Sequence, residues 1–267
     1  MTLDQQYAFS NFKQRISQAV IAAGLDLDDL GRGSLALLED FHTMGRIATT
    51  QLVELVEIKS CDEVLDAGSG VGGTARYLVD HFGCKVTTID LSKQYCEVSR
   101  WLNHLVGLDG QITVHNGDVT KLPFSSGSFT VIMSQHVQMN VVDKSSLYAE
   151  ARRVLRPGGR LAIWDITAGA PGKLEFPLPW ADQPSLSHLV SGDVLRATIE
   201  CVGFAITHWS DMTEEAVLIM ENLLQTLTGP LGLHVFVDDF VVKMNNLVRG
   251  LSTGRLRVVR AIAEARS

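Results

Sequence analysis

Residues 63–80 read EVLDAGSGVGGTARYLVD: an apolar run of strand length, a turn with four glycines between Gly68 and Gly73, then an amphipathic run at helical spacing. A glycine-rich turn between a strand and a helix lets backbone approach a ligand closely at the carboxyl edge of a parallel sheet. The stretch therefore decides two matters together, the kind of sheet and where a ligand would lie. By itself it is equally compatible with a plain tight turn, a dinucleotide site or another adenine-bearing cofactor.

The flanking sequence repeats the pattern. Apolar runs of strand length recur at 62–66, 85–90, 111–115, 129–134 and 160–165, and helical patterns occupy 73–82, 92–107 and 143–156. Strands alternating with helices imply right-handed βαβ crossovers and a mostly parallel sheet covered on both faces. RPGG at 156–159 is expected to end the third of these helices, because proline cannot continue it. Ahead of the sheet, Phe9, Phe12, Ile16 and Val20 fall at helical spacing, and a second helical run covers about 34–57. Past the fifth strand, AGAPGKLEFPLPWADQPS at 168–185 holds four of the seven prolines and reads as a long ordered excursion or a lid. Helical patterns return at 191–202, 213–228 and 235–252, with a strand at 204–209, while the tail LRVVRAIAEA fits strand and helix alike. The expected organisation is a helical cap (1–57) and an α/β domain (58–267) with a lid insertion at about 168–190 and a C-terminal helical stretch at about 213–252.

A chain of 267 residues, 46% hydrophobic and 20% charged, has ample material for a core. Its net charge of −7, without a basic block, argues against nucleic acid as the main partner. The N-terminal MTLDQQYAFS lacks the pattern of a secretory signal, and no apolar stretch reaches the ~20 residues that span a bilayer. Cys61, Cys84, Cys96 and Cys201 are scattered without a CxxC pair or a histidine at ligand spacing, so no metal is expected. They read as reduced thiols, which points to a cytoplasmic home.

Three features narrow the ligand. Asp90, ending VTTIDLS, sits 20 residues after Gly70, the offset at which a carboxylate reaches ribose hydroxyls. Asp66 lies just before the turn, where it suits an ammonium group and repels a pyrophosphate. HNGDVTKLPF at 115–124 places Asp118 to accept from an adenine amine. With SFTVIMSQ, RPGG and RLAIWD following in order, residues 40–210 resemble class I S-adenosylmethionine-dependent methyltransferases. The nearest likeness is to the small-molecule enzymes of the sarcosine/dimethylglycine, phosphoethanolamine and ubiquinone-biosynthesis type. The resemblance implies a Rossmann-like sheet and S-adenosylmethionine as cofactor. It places Asp66, Gly68 and Gly70 against the methionine, Asp90 on the ribose and Leu91 against the adenine. Asp118 and Val119 complete the adenine site, and Ser134 and Gln135 border the sulfonium. DFHTMGRIATTQLVELV at 40–56 is similar to the segment that closes over the cofactor in these relatives, which brings Thr43 and Gly45 towards it. Met44 departs from the pattern, since relatives often have a second glycine there.

Methyl transfer is an in-line displacement helped mainly by orientation, with a general base needed only when the acceptor must lose a proton. Phosphoethanolamine and sugar methyltransferases carry a histidine late in the block that is MSQHVQMNVVDK here, and that place falls on Met139 or Asn140. Candidate bases are then His136, Asp165 and His42, each with a structural alternative: a cofactor-side hydrogen bond, a loop-fixing carboxylate, a solvent-facing ring. The acceptor pocket is expected from Tyr7, Phe9 and Phe12, from Phe176, Pro177 and Trp180, and from residues 231–240. Such aromatic surface suits a small apolar or aromatic acceptor, with a homodimer contact as the other use of the loop. Two other classes stay open: a non-catalytic cofactor-binding protein on the same fold, and a nicotinamide oxidoreductase. No Asn/Asp-Pro-Pro-aromatic tetrapeptide follows the fourth strand, which argues against base or amide methylation.

Overall fold

The computed structural model describes residues 11–226 and 229–266. Its centre is a seven-stranded sheet in the order β3-β2-β1-β4-β5-β7-β6. The strands are β1 (Glu63–Ala67), β2 (Lys85–Asp90), β3 (Ile112–Asn116), β4 (Phe129–Gln135), β5 (Leu155–Ala168), β6 (Phe204–Asp211) and β7 (Leu256–Ala265). β3, β2, β1, β4 and β5 run parallel, and β7 inserts antiparallel between β5 and β6.

The helices are α1 (Phe12–Ala22), α2 (Arg46–Val56), α3 (Gly73–Phe82), α4 (Lys93–Leu105), α5 (Lys144–Val154), α6 (Gly192–Cys201), α7 (Thr213–Thr226) and α8 (Phe240–Ser252). Strand periodicity divides the core between them. Val64, Val131, Met133, Ala162, Trp164 and Ile166 face one layer, where Phe12, Ile16, Leu52, Leu78 and Met244 meet them. Leu65, Ile132, Leu161 and Ile163 face the other, against Leu147, Ala151, Leu195 and Ile199. The N-terminal helices thus share one continuous core with the sheet. Each fully buried aliphatic side chain contributes about 1.5–3 kcal/mol.

Three local expectations differ from the structure. Residues 34–45 are not one helix with α2: a 3₁₀ helix covers Arg32–Leu38, and α2 begins only at Arg46. The helix ahead of RPGG ends at Val154 as expected, but RPGG itself falls within the span of β5. Pairing jumps from Phe129↔Leu155 to Val131↔Arg160, so the two glycines are taken up in an irregularity of the strand. The tail is strand, with Leu256–Ala265 pairing on both sides; its apolar residues, interrupted by Arg257, Arg260 and Glu264, are buried on both faces. Tyr7 and Phe9 fall outside the described residues. Among the described residues, no helix is long and apolar enough to cross a membrane.

Candidate functional site

The carboxyl ends of β1, β2 and β4 converge on a cleft of about 400 Å³. The glycine turn forms its floor. Gly68, at φ +77, approaches the loop after β4 so closely that a Cβ would lie 2.4 Å from Val137 Cγ2. Gly70, at φ +53, has open space where its Cβ would be. Three of the turn's amides are already committed: Gly68 and Ser69 donate to the Ile89 carbonyl at 2.8 and 3.1 Å, and Gly70 donates to Asp90 Oδ2 at 2.8 Å. Asp90 is held from its other side by the Ser92 amide on Oδ1 at 2.8 Å.

Asp66 lines the same floor, 3% exposed, and its Oδ2 has no hydrogen-bond partner. Burial first, and then the charges of Asp90 and Asp40, push its carboxyl up to about 7. An unpaired buried carboxylate oxygen costs about 1–3 kcal/mol or more unless something meets it. Asp118 lies at the far side with its Oδ1 accepting from the Thr120 amide and hydroxyl, each at 2.8 Å. Leu91 and Val119 line the wall nearby, Leu91 with 44% exposure.

The roof comes from the cap and the end of β4. Gln135 accepts from Thr74 Oγ1 at 2.9 Å and donates to Thr49 Oγ1 and His42 Nε2 at 3.2 and 3.1 Å. This pattern fixes the His42 tautomer: Nδ1 carries the proton, 3.4 Å from the Thr43 carbonyl, and Nε2 accepts. His42 is no solvent-facing ring, since its side chain is 6% exposed, and burial lowers its pKa. His136 sits at φ +56, a left-handed conformation that few non-glycine residues take and that histidine takes more readily than most. Its Nε2 accepts the Thr43 amide at 3.2 Å and lies 3.0 Å from Thr43 Oγ1, which itself accepts from Trp164 Nε1 at 2.8 Å. The proton of His136 is thereby assigned to Nδ1, and burial holds the ring well below its ordinary pKa.

Of the fourteen positions singled out above, ten line the cleft: His42, Asp66, Gly68, Gly70, Asp90, Leu91, Asp118, Val119, Gln135 and His136. Thr43, Gly45, Ser134 and Asp165 stand outside its lining. Thr43 is 1% exposed and reaches the cleft only through His136. Gly45 caps α2, and Met44 before it takes φ +65, the left-handed region that favours glycine. Ser134 is buried within β4. Asp165 is wholly buried; its Oδ2 accepts from the Val137 and Gln138 amides, both at 3.0 Å, and its Oδ1 from Ile166 at 2.9 Å.

Lining residues such as Glu39 and Tyr95 had no signal in the sequence, whereas Phe236 lies in the 231–240 stretch expected there. Glu39, buried at 7% exposure, joins Arg76 at 2.5 Å and Arg46 at 2.9 Å. Arg76 in turn donates to the Val71 carbonyl at 2.7 Å and Asn103 Oδ1 at 2.8 Å, so the ion pair clasps cap, glycine turn and α4 together. Tyr95 and Phe236 form an aromatic wall backed by Phe12, whose ring lies 5.6 and 4.8 Å from theirs. Trp180 of the proline-rich segment lines the cleft as expected, whereas Phe176 and Pro177 do not.

Comparison with known proteins follows the same lines. Residues 65–163 match a family model described as a methyltransferase domain. The chain is 32% identical over 201 residues to the sarcosine/dimethylglycine N-methyltransferase of Aphanothece halophytica, covering 72% of each. It is 29% identical over 189 residues to the glycine/sarcosine/dimethylglycine N-methyltransferase of Actinopolyspora halophila, covering 71% of this chain and 34% of the relative. The chain spans 34%, 54% and 63% of the length of the first three curated relatives it matches. Geranyl diphosphate C-methyltransferase from Streptomyces coelicolor A3(2), solved with Mg²⁺, geranyl-S-thiolodiphosphate and S-adenosyl-L-homocysteine, superposes with a TM-score of 0.69 at 17% identity. That match covers 83% of this chain and 76% of the other, and is a likeness of fold.

Proposed function

This chain belongs to the methyltransferase-domain family of S-adenosylmethionine-dependent enzymes, and on that premise we propose that it methylates a small acceptor of apolar or aromatic character. The observation that carries the reading is the Asp66 carboxylate, buried in the cleft floor with Oδ2 unpaired. An ammonium group fits it; a pyrophosphate does not. Three turn amides, those of Gly68, Ser69 and Gly70, are occupied by the Ile89 carbonyl and by Asp90, which leaves fewer to cradle a pyrophosphate.

In this reading Asp66 takes the methionine ammonium and Asp90 the ribose hydroxyls. Leu91 and Val119 flank the adenine, and Asp118 accepts its amine. The open space above Gly70 admits the cofactor's backbone-like chain. When bound, the cofactor supplies a methyl carbon already activated by its sulfonium. The chain's own contribution is alignment and exclusion of water, and alignment is worth up to ~7–11 kcal/mol. His136 orients the acceptor as an Nδ1–H donor, because the Thr43 amide opposes the tautomer that a base requires. The reading covers transfer to oxygen, nitrogen or carbon alike.

A second reading, cofactor binding without catalysis, is favoured by one observation. Neither His42 nor His136 offers a free acceptor nitrogen in the assigned tautomers. The test has two arms. S-Adenosylhomocysteine at about a hundred times its Kd should stabilise the fold by ~2.7 kcal/mol, and NAD should not. Methyl transfer to any member of an acceptor panel then separates the enzyme from the mere binder. Stabilisation by NAD and not by S-adenosylhomocysteine would overturn the reading.

A further inference from the structure

Resting on the methyltransferase reading, we infer that the acceptor is uncharged or cationic, and that the cleft rejects acceptors bearing a phosphate or a free carboxylate. Among the described residues the cleft is lined by five carboxylates, Glu39, Asp66, Asp90, Asp118 and Asp143, and by no lysine or arginine. The segments outside the described residues add none, since 1–10, 227–228 and 267 contain neither residue type.

Three basic side chains beside the cleft are already committed, and Lys93 and Lys121, which follow lining residues in the chain, are exposed to solvent. Arg76 serves Glu39, Asn103 and the Val71 carbonyl, and Arg46 serves Glu39 and Asp40. Lys144, 7% exposed, donates to the carbonyls of Val141 and His188 at 2.7 and 2.5 Å. Recruiting any of these three would strand a buried partner, a cost of about 3–5 kcal/mol for a buried ion pair. A bridging divalent cation has no ready seat either, since no group of three potential ligands occurs among the described residues.

The wall left over by the cofactor-side carboxylates is mainly apolar, with Phe41, Met139, Val142, Trp180 and Phe236, and its polar members His136, Asn140 and Asp143 include no cationic lysine or arginine. A phosphate ester placed there would be desolvated among carboxylates with no cation to meet it. An amino-acid acceptor fares little better. Its amine must shed the ammonium proton to accept a methyl group, and the reacting form then carries net charge −1. The cofactor's own carboxylate is different, because its ammonium accompanies it. On this point the chain parts from the relatives named above, whose acceptors are amino acids or a diphosphate.

The experiment is calorimetric titration of geraniol, geranyl phosphate and sarcosine into protein loaded with S-adenosylhomocysteine, with and without Mg²⁺. Geraniol is expected to bind at least tenfold more tightly than its phosphate ester or sarcosine, with or without the metal. Equal or tighter binding of either anion overturns the inference while leaving the methyltransferase reading intact. Failure of S-adenosylhomocysteine itself to bind overturns both. Val142→Arg, at a rim side chain 76% exposed, should raise affinity for geranyl phosphate about tenfold. No gain in that variant would mean that charge is not what excludes the ester, and would also overturn the inference.

Discussion

His136 and Thr43, 93 positions apart, meet through two contacts on one ring nitrogen: the Thr43 amide at 3.2 Å and its hydroxyl at 3.0 Å. Trp164 completes the chain by donating to the same hydroxyl. Thr43→Val keeps the shape but leaves the buried indole N–H unpaired, at a cost of about 1–3 kcal/mol. Urea melts should show that loss, and an unchanged midpoint would mean that the indole finds another acceptor.

The same ring has a pH signature. Burial, and then the nearby His42, hold His136 neutral in the folded chain. Unfolded, it titrates near 6.5, so below that pH the unfolded state binds a proton that the folded state does not. Stability therefore falls as pH drops through 6.5. His136→Asn should flatten that acid limb. An identical limb in the variant would show that other groups set it.

Asp66 has the opposite sign. With its folded pKa near 7 against an ordinary 3.8, it favours the fold most at low pH, and that stability is lost as pH rises towards 7. A cation meeting Asp66 reverses the shift, so binding of S-adenosylhomocysteine at pH 6 should release up to one proton. At pH 8 it should release almost none. Titrations in buffers of different ionisation enthalpy read this directly, and Asp66→Asn should abolish the release. Proton release unaffected by the substitution would remove Asp66 from the ammonium site.

Asp165 is placed as a strut, with three backbone amides on its two oxygens. Asp165→Ala strands those amides and should cost about 3 kcal/mol or more. Asp165→Asn, which keeps one acceptor oxygen, should retain kcat within about tenfold. A fall of ~10²–10⁴-fold in the Asn variant, with the fold intact, would restore the role of general base.

The Glu39–Arg76 pair lies with both side chains 3% exposed. Glu39→Gln should cost about 3–5 kcal/mol, since it leaves the Arg76 charge buried without its partner. A loss under about 1 kcal/mol by thermal denaturation would show that the clasp is only a surface-like contact.

The parts of this architecture legible in the sequence are those written locally. The glycine turn, Asp90 at its offset and Asp118 after the third strand all sit at strand ends, and a parallel sheet brings its carboxyl edges to one side. Ten of the fourteen singled-out positions accordingly line one cleft. Glu39 and Arg76 were not legible, because a contact across 37 positions has no local spacing to betray it. Met139 and Asn140 drew notice only for lacking a proton acceptor, yet they line the cleft too. In the proline-rich segment Trp180 lines the cleft, but which of its neighbours would turn inward depended on packing. The tail was ambiguous for a physical reason: a strand buried on both faces has no alternation to show.

Most directly at stake is the cofactor site, and calorimetry of S-adenosylhomocysteine against wild type and Asp90→Ala tests it. Asp90 is pre-aimed by the Gly70 and Ser92 amides, each at 2.8 Å, so the two ribose contacts proposed for it should contribute about 1.5–3 kcal/mol apiece. The account predicts micromolar binding to wild type and a loss of about a hundredfold or more in the variant. No binding to folded wild type, or equal binding to both proteins, would contradict it.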